Sequence, residues 1–269
     1  MGSRARIATV CQSHHFYATM EENRAYIMGL LDLALRQQPD LVCLPETFVS
    51  PWTVPHERAE QVAESVPGPT TDAAAVRARE HGCYVICPVI TRRDGRCWNS
   101  AVLIDRAGGI VGTYDKVHPV TTTHDYTVME HGVTPGSEAP VFDLDFGRVG
   151  IQICFDAGFP ETWEALARQG ARLVIWTSAY DGGFSLQASA YLHHYYVVSS
   201  VCSDRSRIID PCGRTLARTD GPVNVTWRDI SLDYCVCHWD FNYDIPDRIL
   251  NAYPGRVEVR SYVDDGHFV

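Results

Sequence analysis

Apolar residues recur along the chain with two different periods, and their alternation predicts an architecture. RIATVCQ (6–12) reads as a strand. Residues 21–38 set Tyr26, Leu30, Leu33 and Leu35 between charges, the pattern of an amphipathic helix, which Pro39 and Asp40 end. LVCLPE (41–46) is expected to be a buried strand, TTDAAAVRAREHG (70–82) a helix closing on a glycine, and CYVICPVI (83–90) another strand. Strand and helix in alternation signify an α/β fold. The segment WNSAVLIDRAGGIVGTYD then predicts a hairpin through Ala107-Gly108-Gly109, so antiparallel pairs follow. From 148, RVGIQICFD is a strand, PETWEALARQG (160–170) a helix with proline first and glycine after its end, and ARLVIWTS (171–178) a strand. Cys154 stands at the exit of the first strand of this βαβ unit. A further helix over 184–196 precedes the strands YVVSSV, SRIIDPCGRTLAR and NVTWRDISLD. With no repeat or low-complexity linker, one two-sheet α/β domain over 1–269 is expected. Residues 240–269, aperiodic and rich in Asp, Tyr and Pro, read as a tail that wraps a neighbour or a second subunit.

Composition narrows the class. A chain of 269 residues with 45% hydrophobic and 21% charged residues is ordinary globular protein, able to bury about three quarters of its unfolded surface. The net charge of −10, without a block of five basic residues, argues against nucleic acid as a partner. No apolar run approaches the roughly 20 residues that span a bilayer, and MGSRARIATV lacks the features of a signal peptide. The expectation is a soluble, cytoplasmic protein with no membrane partner. Most of the ten cysteines lie in apolar strand-like runs, which favours reduced thiols over a disulfide framework. Cys83 with Cys87, and Cys235-Val236-Cys237-His238, lack the second ligand pair that zinc requires, so no metal or other cofactor is expected.

Three polar residues at strand ends are candidates for chemistry. Cys154, six residues ahead of a proline-initiated helix, would lie near amide nitrogens and the positive end of a helix dipole, both of which favour thiolate. Strand alternation groups it with Gln152, opposite Val149, Ile151 and Ile153. Taken alone, however, a cysteine in an apolar strand is ordinarily packing. Glu46 closes a buried strand after a proline and could act as a base whose pKa burial raises, or could simply point into water. Lys116, in TYDKVHP, reads by itself as a surface charge.

The segments LPE, YDKVHP and GIQICFDAGFPE, in this order and at these strand ends, together resemble the nitrilase superfamily of carbon–nitrogen hydrolases. The resemblance runs over about residues 6–218. It implies a four-layer α-β-β-α sandwich with Glu46, Lys116 and Cys154 meeting in a pocket. By that resemblance Cys154 is the nucleophile, Glu46 the base, and Lys116 with the Phe155 amide the oxyanion partners. A second pocket glutamate is expected at Glu130, with Glu138 as a loop carboxylate. Asp156, Phe159 and Glu161 follow the nucleophile, and an acid there is read as a cap for the helix starting at Pro160. His118, His124, His131, His193 and His194 would matter only for a cysteine–histidine dyad, which Glu and Lys make unnecessary.

Departures from the family pattern fall on the substrate side. IWTSAYDGGF stands where many relatives have an Asn-Pro element, placing Tyr180, Asp181 and Phe184 as candidate substrate-binding residues. Asp181 could pair with a substrate amino group, or belong to an ordinary turn. Cys202 and Ser203 replace an asparagine and a glycine common in relatives. The chain is too short for relatives fused to a synthetase or a transmembrane acyltransferase unit. The resemblance therefore implies a stand-alone hydrolase of a small amide or N-carbamoyl compound, acting as a homodimer or larger assembly. Nitrile hydrolysis, acyl transfer to an amine, and a silent metabolite-binding scaffold remain as alternatives.

Overall fold

The computed structural model describes residues 4–51, 54, 58–121, 127–262 and 265–269, without the side chain of His131. Two six-stranded sheets carry the architecture. The first contains β1 (Arg4–Val10), β2 (Leu41–Cys43), β3 (Tyr84–Arg93), β4 (Arg96–Ile104) and β5 (Ile110–Asp115). The second contains β6 (Val141–Leu144), β7 (Gly147–Ile153), β8 (Leu173–Ser178), β9 (Tyr196–Val201), β10 (Arg207–Ile209) and β11 (Thr215–Arg218). The next strand, β12 (Val225–Ser231), returns to the first sheet, giving the orders β12-β1-β2-β3-β4-β5 and β11-β10-β9-β8-β7-β6. Each sheet has three parallel strands, β1-β2-β3 and β7-β8-β9, flanked by antiparallel ones.

The helices cover the outer faces. Helices α1 (Met20–Leu35) and α3 (Pro69–His81) pack on the first sheet, α2 (Ala59–Val62) lies at its margin, and α4 (Pro160–Arg168) and α5 (Gly183–His193) pack on the second. Strand alternation sorts the apolar residues into layers. Ile7, Leu41, Cys43 and Ile86 face Val149, Ile151, Leu173 and Ile175 between the sheets. Ala8, Val42 and Val85 turn outward to Ile27, Leu31 and Ala78, while Val174, Trp176 and Val197 meet Trp163, Leu166 and Leu186. The result is the α-β-β-α sandwich. Leu166 approaches so closely that a Cβ on Gly150 would stand 2.8 Å from its methyl groups.

Most predicted elements appear with shifted ends. The first helix stops at Leu35, before the expected 38, because the residue ahead of Pro39 is disfavoured in the helical region and Gln38 takes a φ of +52°. The hairpin turns through Gly108 at φ +82°, with Asp105 Oδ1 accepting from the Ala107 and Gly109 amides. The aperiodic tail proves partly ordered on its own chain. It contains α6 (Ile245–Ala252), and its strands β14 (Ser261–Tyr262) and β15 (His267–Phe268) join β13 (Cys237–His238), just ahead of it, in a three-stranded sheet of order β13-β15-β14. Buried Trp239 and Phe268, the Tyr262–Asp210 hydrogen bond and the Arg214–Asp265 ion pair tie it down. Its length had suggested no period because the strands are two residues each.

Candidate active site

Strand exits from both sheets converge. Glu46 follows β2 by three residues and is almost fully buried. Its Oε1 accepts from Asn99 Nδ2 at 2.8 Å and from Lys116 Nζ at 3.1 Å, and its Oε2 accepts from the Ala179 amide at 2.9 Å. Lys116, the residue after β5, is 0% exposed; its backbone amide donates to the Asn99 carbonyl at 2.8 Å, and its ammonium also pairs with Glu130. Glu130 sits in a single 3-10 turn, Glu130–Gly132. Glu138 is an exposed loop residue, as expected.

Charge follows from this packing. Burial alone would lower the Lys116 pKa, but Glu46, Cys154 and Glu130 together carry it well above the ordinary lysine value, so the ammonium is permanent. Burial raises Glu130, against the pull of Lys116. The Cys154 thiol is pushed up to about 12, by burial first and by Glu46 second, while Lys116 and a hydrogen bond with the Ser178 side chain pull it down. Desolvation and a neighbouring carboxylate thus act against the thiolate that strand-end amides and a helix dipole favour.

The turn at Cys154 differs in geometry too. Strand β7 ends at Ile153, and Cys154 opens a 3-10 turn, Cys154–Gly158, with φ +47°. Alternation therefore stops one residue early, and Cys154 packs with the inter-sheet core beside Ile153 instead of siding with Gln152. A non-glycine residue in this left-handed region is strained and must be held by its surroundings. Asp156 does much of that holding. It is 0% exposed, and its Oδ2 accepts from Ile153 N at 3.0 Å and Tyr114 OH at 2.6 Å, its Oδ1 from His118 N at 2.8 Å. Read from sequence as a cap for α4, it instead joins the nucleophile turn to the segment after Lys116. The Cys154 carbonyl accepts from Trp176 Nε1 at 3.0 Å.

The histidines lie apart from this cluster or are engaged elsewhere. His118 Nδ1 is 3.1 Å from Asp156 Oδ1, and its ring stacks on Phe159 at 3.7 Å between centroids. His193 stacks on Tyr195, and His194 Nδ1 is 3.3 Å from the Pro211 carbonyl. His124 and the His131 side chain lie outside the described residues.

A family model described as carbon-nitrogen hydrolase matches residues 7–236. The chain belongs to the carbon–nitrogen hydrolase family. Omega-amidase NIT2 of Bos taurus is 27% identical over 236 residues, 78% of this chain and 83% of that one. A hydrolase of Schizosaccharomyces pombe is 25% identical over 225 residues, 73% of this chain and 68% of its own. Among solved structures, Saccharomyces cerevisiae Nit3, a nitrilase superfamily member, has a TM-score of 0.72 at 19% identity, covering 95% of this chain and 96% of its own. A Nesterenkonia amidase of the same superfamily gives 0.71 at 22%, covering 94% and 98%. The sandwich is therefore of the nitrilase type.

In this hydrolase, residues not singled out in the sequence complete the cluster: Asn99, Ser178 and the Ala179 amide. Ser178 is a polar residue closing an apolar strand, a signal that could have found it. Asn99 is a buried polar residue in the middle of an apolar strand, a signal of equal strength. Of the candidate substrate-binding residues, Phe155 is exposed and meets Phe159 edge-on at 5.3 Å, and Tyr180 stands edge-on to Trp176 at 5.4 Å. Burial first, then the Cys154 and Glu46 charges, raise the Tyr180 pKa, which places its phenol in the field of the cluster. Phe184 is 77% exposed on the first turn of α5. Asp181 is turned to its own chain, with Oδ1 accepting from Gly183 N at 2.8 Å and lying 3.4 Å from Arg207 Nη2.

Proposed function

We propose that this hydrolase cleaves the carbon–nitrogen bond of a small amide through a thioester on Cys154, with Glu46 as the base and Lys116 as the charge that stabilises the oxyanion. The carrying observation is a buried Cys154 in one cluster with a buried carboxylate, Glu46, whose orientation three donors fix. A thiol that rests protonated needs a base at the moment of attack. Glu46 takes the Sγ proton as sulfur bonds to the carbonyl carbon. The oxyanion that forms is met by Lys116 and the Phe155 amide. As the carbon–nitrogen bond breaks, Glu46 returns the proton to the nitrogen, which leaves as ammonia or an amine. Water then attacks the thioester with Glu46 again taking a proton, and that proton returns to sulfur as the carboxylic acid departs. Glu130 holds Lys116 in position. Omega-amidases and an amidase among the relatives support an amide over a nitrile. Tyr180, Phe155 and Phe184 are proposed to border the substrate.

The test is ammonia release from a panel of amides, ω-amides of dicarboxylic acids, N-carbamoyl amino acids and nitriles, beside Cys154→Ala, with mass spectrometry for an acyl adduct. Release from amides, lost in the variant and accompanied by an adduct on Cys154, is expected. Release from nitriles alone, or an adduct elsewhere, would overturn the reading. The exposed Phe184 and Leu192 of α5 support association of two copies along this face, which sedimentation velocity of Leu192→Glu would break.

A further inference from the structure

A cavity of about 290 Å³ opens between the start of α5, the segment after β9, and strands β10 and β11. Gly183, Gln187, Arg205, Arg207, Thr215 and Arg218 line it, together with Asp181. Three guanidiniums thus face one carboxylate, on a chain whose net charge is −10. Asp220, 3.4 Å from Arg218, is largely exposed and its charge is screened by solvent.

Arg207 is the unusual member. Only 8% of it is exposed, and its Nη2 donates to the backbone carbonyls of Asp181 at 2.7 Å and Gly183 at 2.9 Å. Its Nε is buried with no hydrogen-bond partner among the described residues. A buried donor left without a partner is costly, and each such group in a native protein calls for an explanation, a bound ion or water among them. Burial lowers the Arg207 pKa, and the nearby Arg205 adds to this, while Asp181 only partly offsets it. Arg205 contributes a second guanidinium, with Nε 3.6 Å from Asp181 Oδ2. The eleven-residue α5 begins here, and the positive end of its dipole adds to the same potential.

We propose that this cavity is a binding site for a small oxyanion, a carboxylate or phosphate group, held by Arg205, Arg207 and Arg218 at the start of α5. Guanidinium forks match both groups, and the volume lies just below the range of drug-sized ligand pockets, about 300 to 1,000 Å³. The anion would share with Asp181 the guanidiniums that Asp181 now holds. Asp181 lies two residues beyond Ala179, whose amide holds Glu46, so occupancy of the cavity would be felt at the base.

The experiment measures binding of inorganic phosphate and of succinate to the full chain by calorimetry, with sodium chloride holding ionic strength constant. Arg207 ties down the loop beside Glu46 and is left in place; the variant is Arg205→Gln with Arg218→Gln, and exposed Arg228→Gln on β12 is the control. Saturable binding by the wild type and the control, weakened about tenfold or more in the double variant, is expected from the loss of two charge-assisted contacts. Absence of saturable binding overturns the proposal, as does equal weakening by Arg228→Gln, which would mark a diffuse effect of charge. Equal affinity in a double variant with unchanged thermal unfolding overturns it too. Kinetics then separate the two sources of the anion. Phosphate that raises KM only for amides bearing a carboxylate assigns the cavity to the substrate's own carboxylate, and phosphate that alters turnover of neutral amides assigns it to a separate anion.

Discussion

The two sheets share a plan, three parallel strands between antiparallel ones, yet the exits of those strands carry opposite halves of the chemistry. From the first sheet come Glu46, Asn99 and Lys116, a carboxylate and an ammonium fixed by an amide. From the second come Cys154, Asp156, Ser178 and the Ala179 amide, a sulfur with groups that orient it and one donor that reaches across to Glu46. Both halves put a non-glycine residue in the left-handed region at the exit, Thr47 at φ +42° beside Glu46 and Cys154 itself at φ +47°. Turning sharply there aims a side chain out of the strand ladder at the cost of strain. Neither half is competent alone, so the inter-sheet core, by fixing how the sheets meet, also fixes the reacting distances.

Removing the proposed nucleophile separates the halves most sharply. Cys154→Ala is expected to leave below about one per cent of wild-type turnover while keeping the fold, since the cavity from one thiol is small. Steady-state ammonia release with circular dichroism checks both parts. On the first sheet, Glu46→Gln is expected to slow turnover by about 10² to 10⁴. The same change should speed alkylation of Cys154 by iodoacetamide below pH 9. The sign follows from the field: the Glu46 charge raises the thiol pKa, so its removal lowers that pKa and enlarges the thiolate fraction. If alkylation slows together with turnover, Glu46 does not act on the thiol through its charge.

An intermediate effect is expected at the joint between the halves. Asp156→Asn keeps the volume but cannot accept from Tyr114, Ile153 and His118 at once with a full charge. Stability should fall by about 1 to 3 kcal/mol, the range for a buried polar group that loses a partner. Turnover should drop about tenfold or more through kcat, because the strained Cys154 backbone loses its anchor. Denaturant unfolding and the split between kcat and KM measure the two. A change in KM alone would mean that Asp156 shapes substrate binding without positioning the nucleophile.

How far the site could be read from sequence follows the same division. Glu46, Lys116 and Cys154 were legible only in combination, as the segments LPE, YDKVHP and GIQICFDAGFPE that together resemble a known family; singly, Cys154 read as packing, Lys116 as a surface charge, and Glu46 as a base or a solvated carboxylate. The layers were legible for a related reason: a strand buried on both faces is written as a continuous apolar run, and helices between such runs must cover them. What the strand pattern missed is what breaks the strand. Cys154 lies one residue past β7, where alternation no longer says which way a side chain points, and desolvation opposes the expected thiolate. Asp156 was visible as an acid before a helix, but its partners Tyr114 and His118 are 42 and 38 residues away in sequence, beyond any local rule. Asp181 was read either toward a substrate or as part of an ordinary turn; its contact with Arg207, 26 residues on, is not given by spacing alone.

Ser178 offers the smallest and most selective test within the second sheet. Its side chain hydrogen-bonds the Cys154 thiol and lowers its pKa, and its Oγ also accepts from the Tyr180 amide at 3.1 Å. Ser178→Ala removes both. The thiol pKa should then rise from about 12, the thiolate fraction at any pH below it should shrink, and alkylation of Cys154 should slow by a few fold. The logarithm of the alkylation rate should still climb linearly from pH 7 to 10 in both proteins, because the thiol titrates above that window. Turnover should fall by a similar few-fold factor, far less than in Glu46→Gln, because the base remains. Plateaus near pH 8 would mean that the thiol ionises lower than its burial implies. Unchanged alkylation in Ser178→Ala would leave the field of Lys116 and Glu46 as the controlling influence on sulfur, and would place the tuning of the nucleophile wholly on the first sheet.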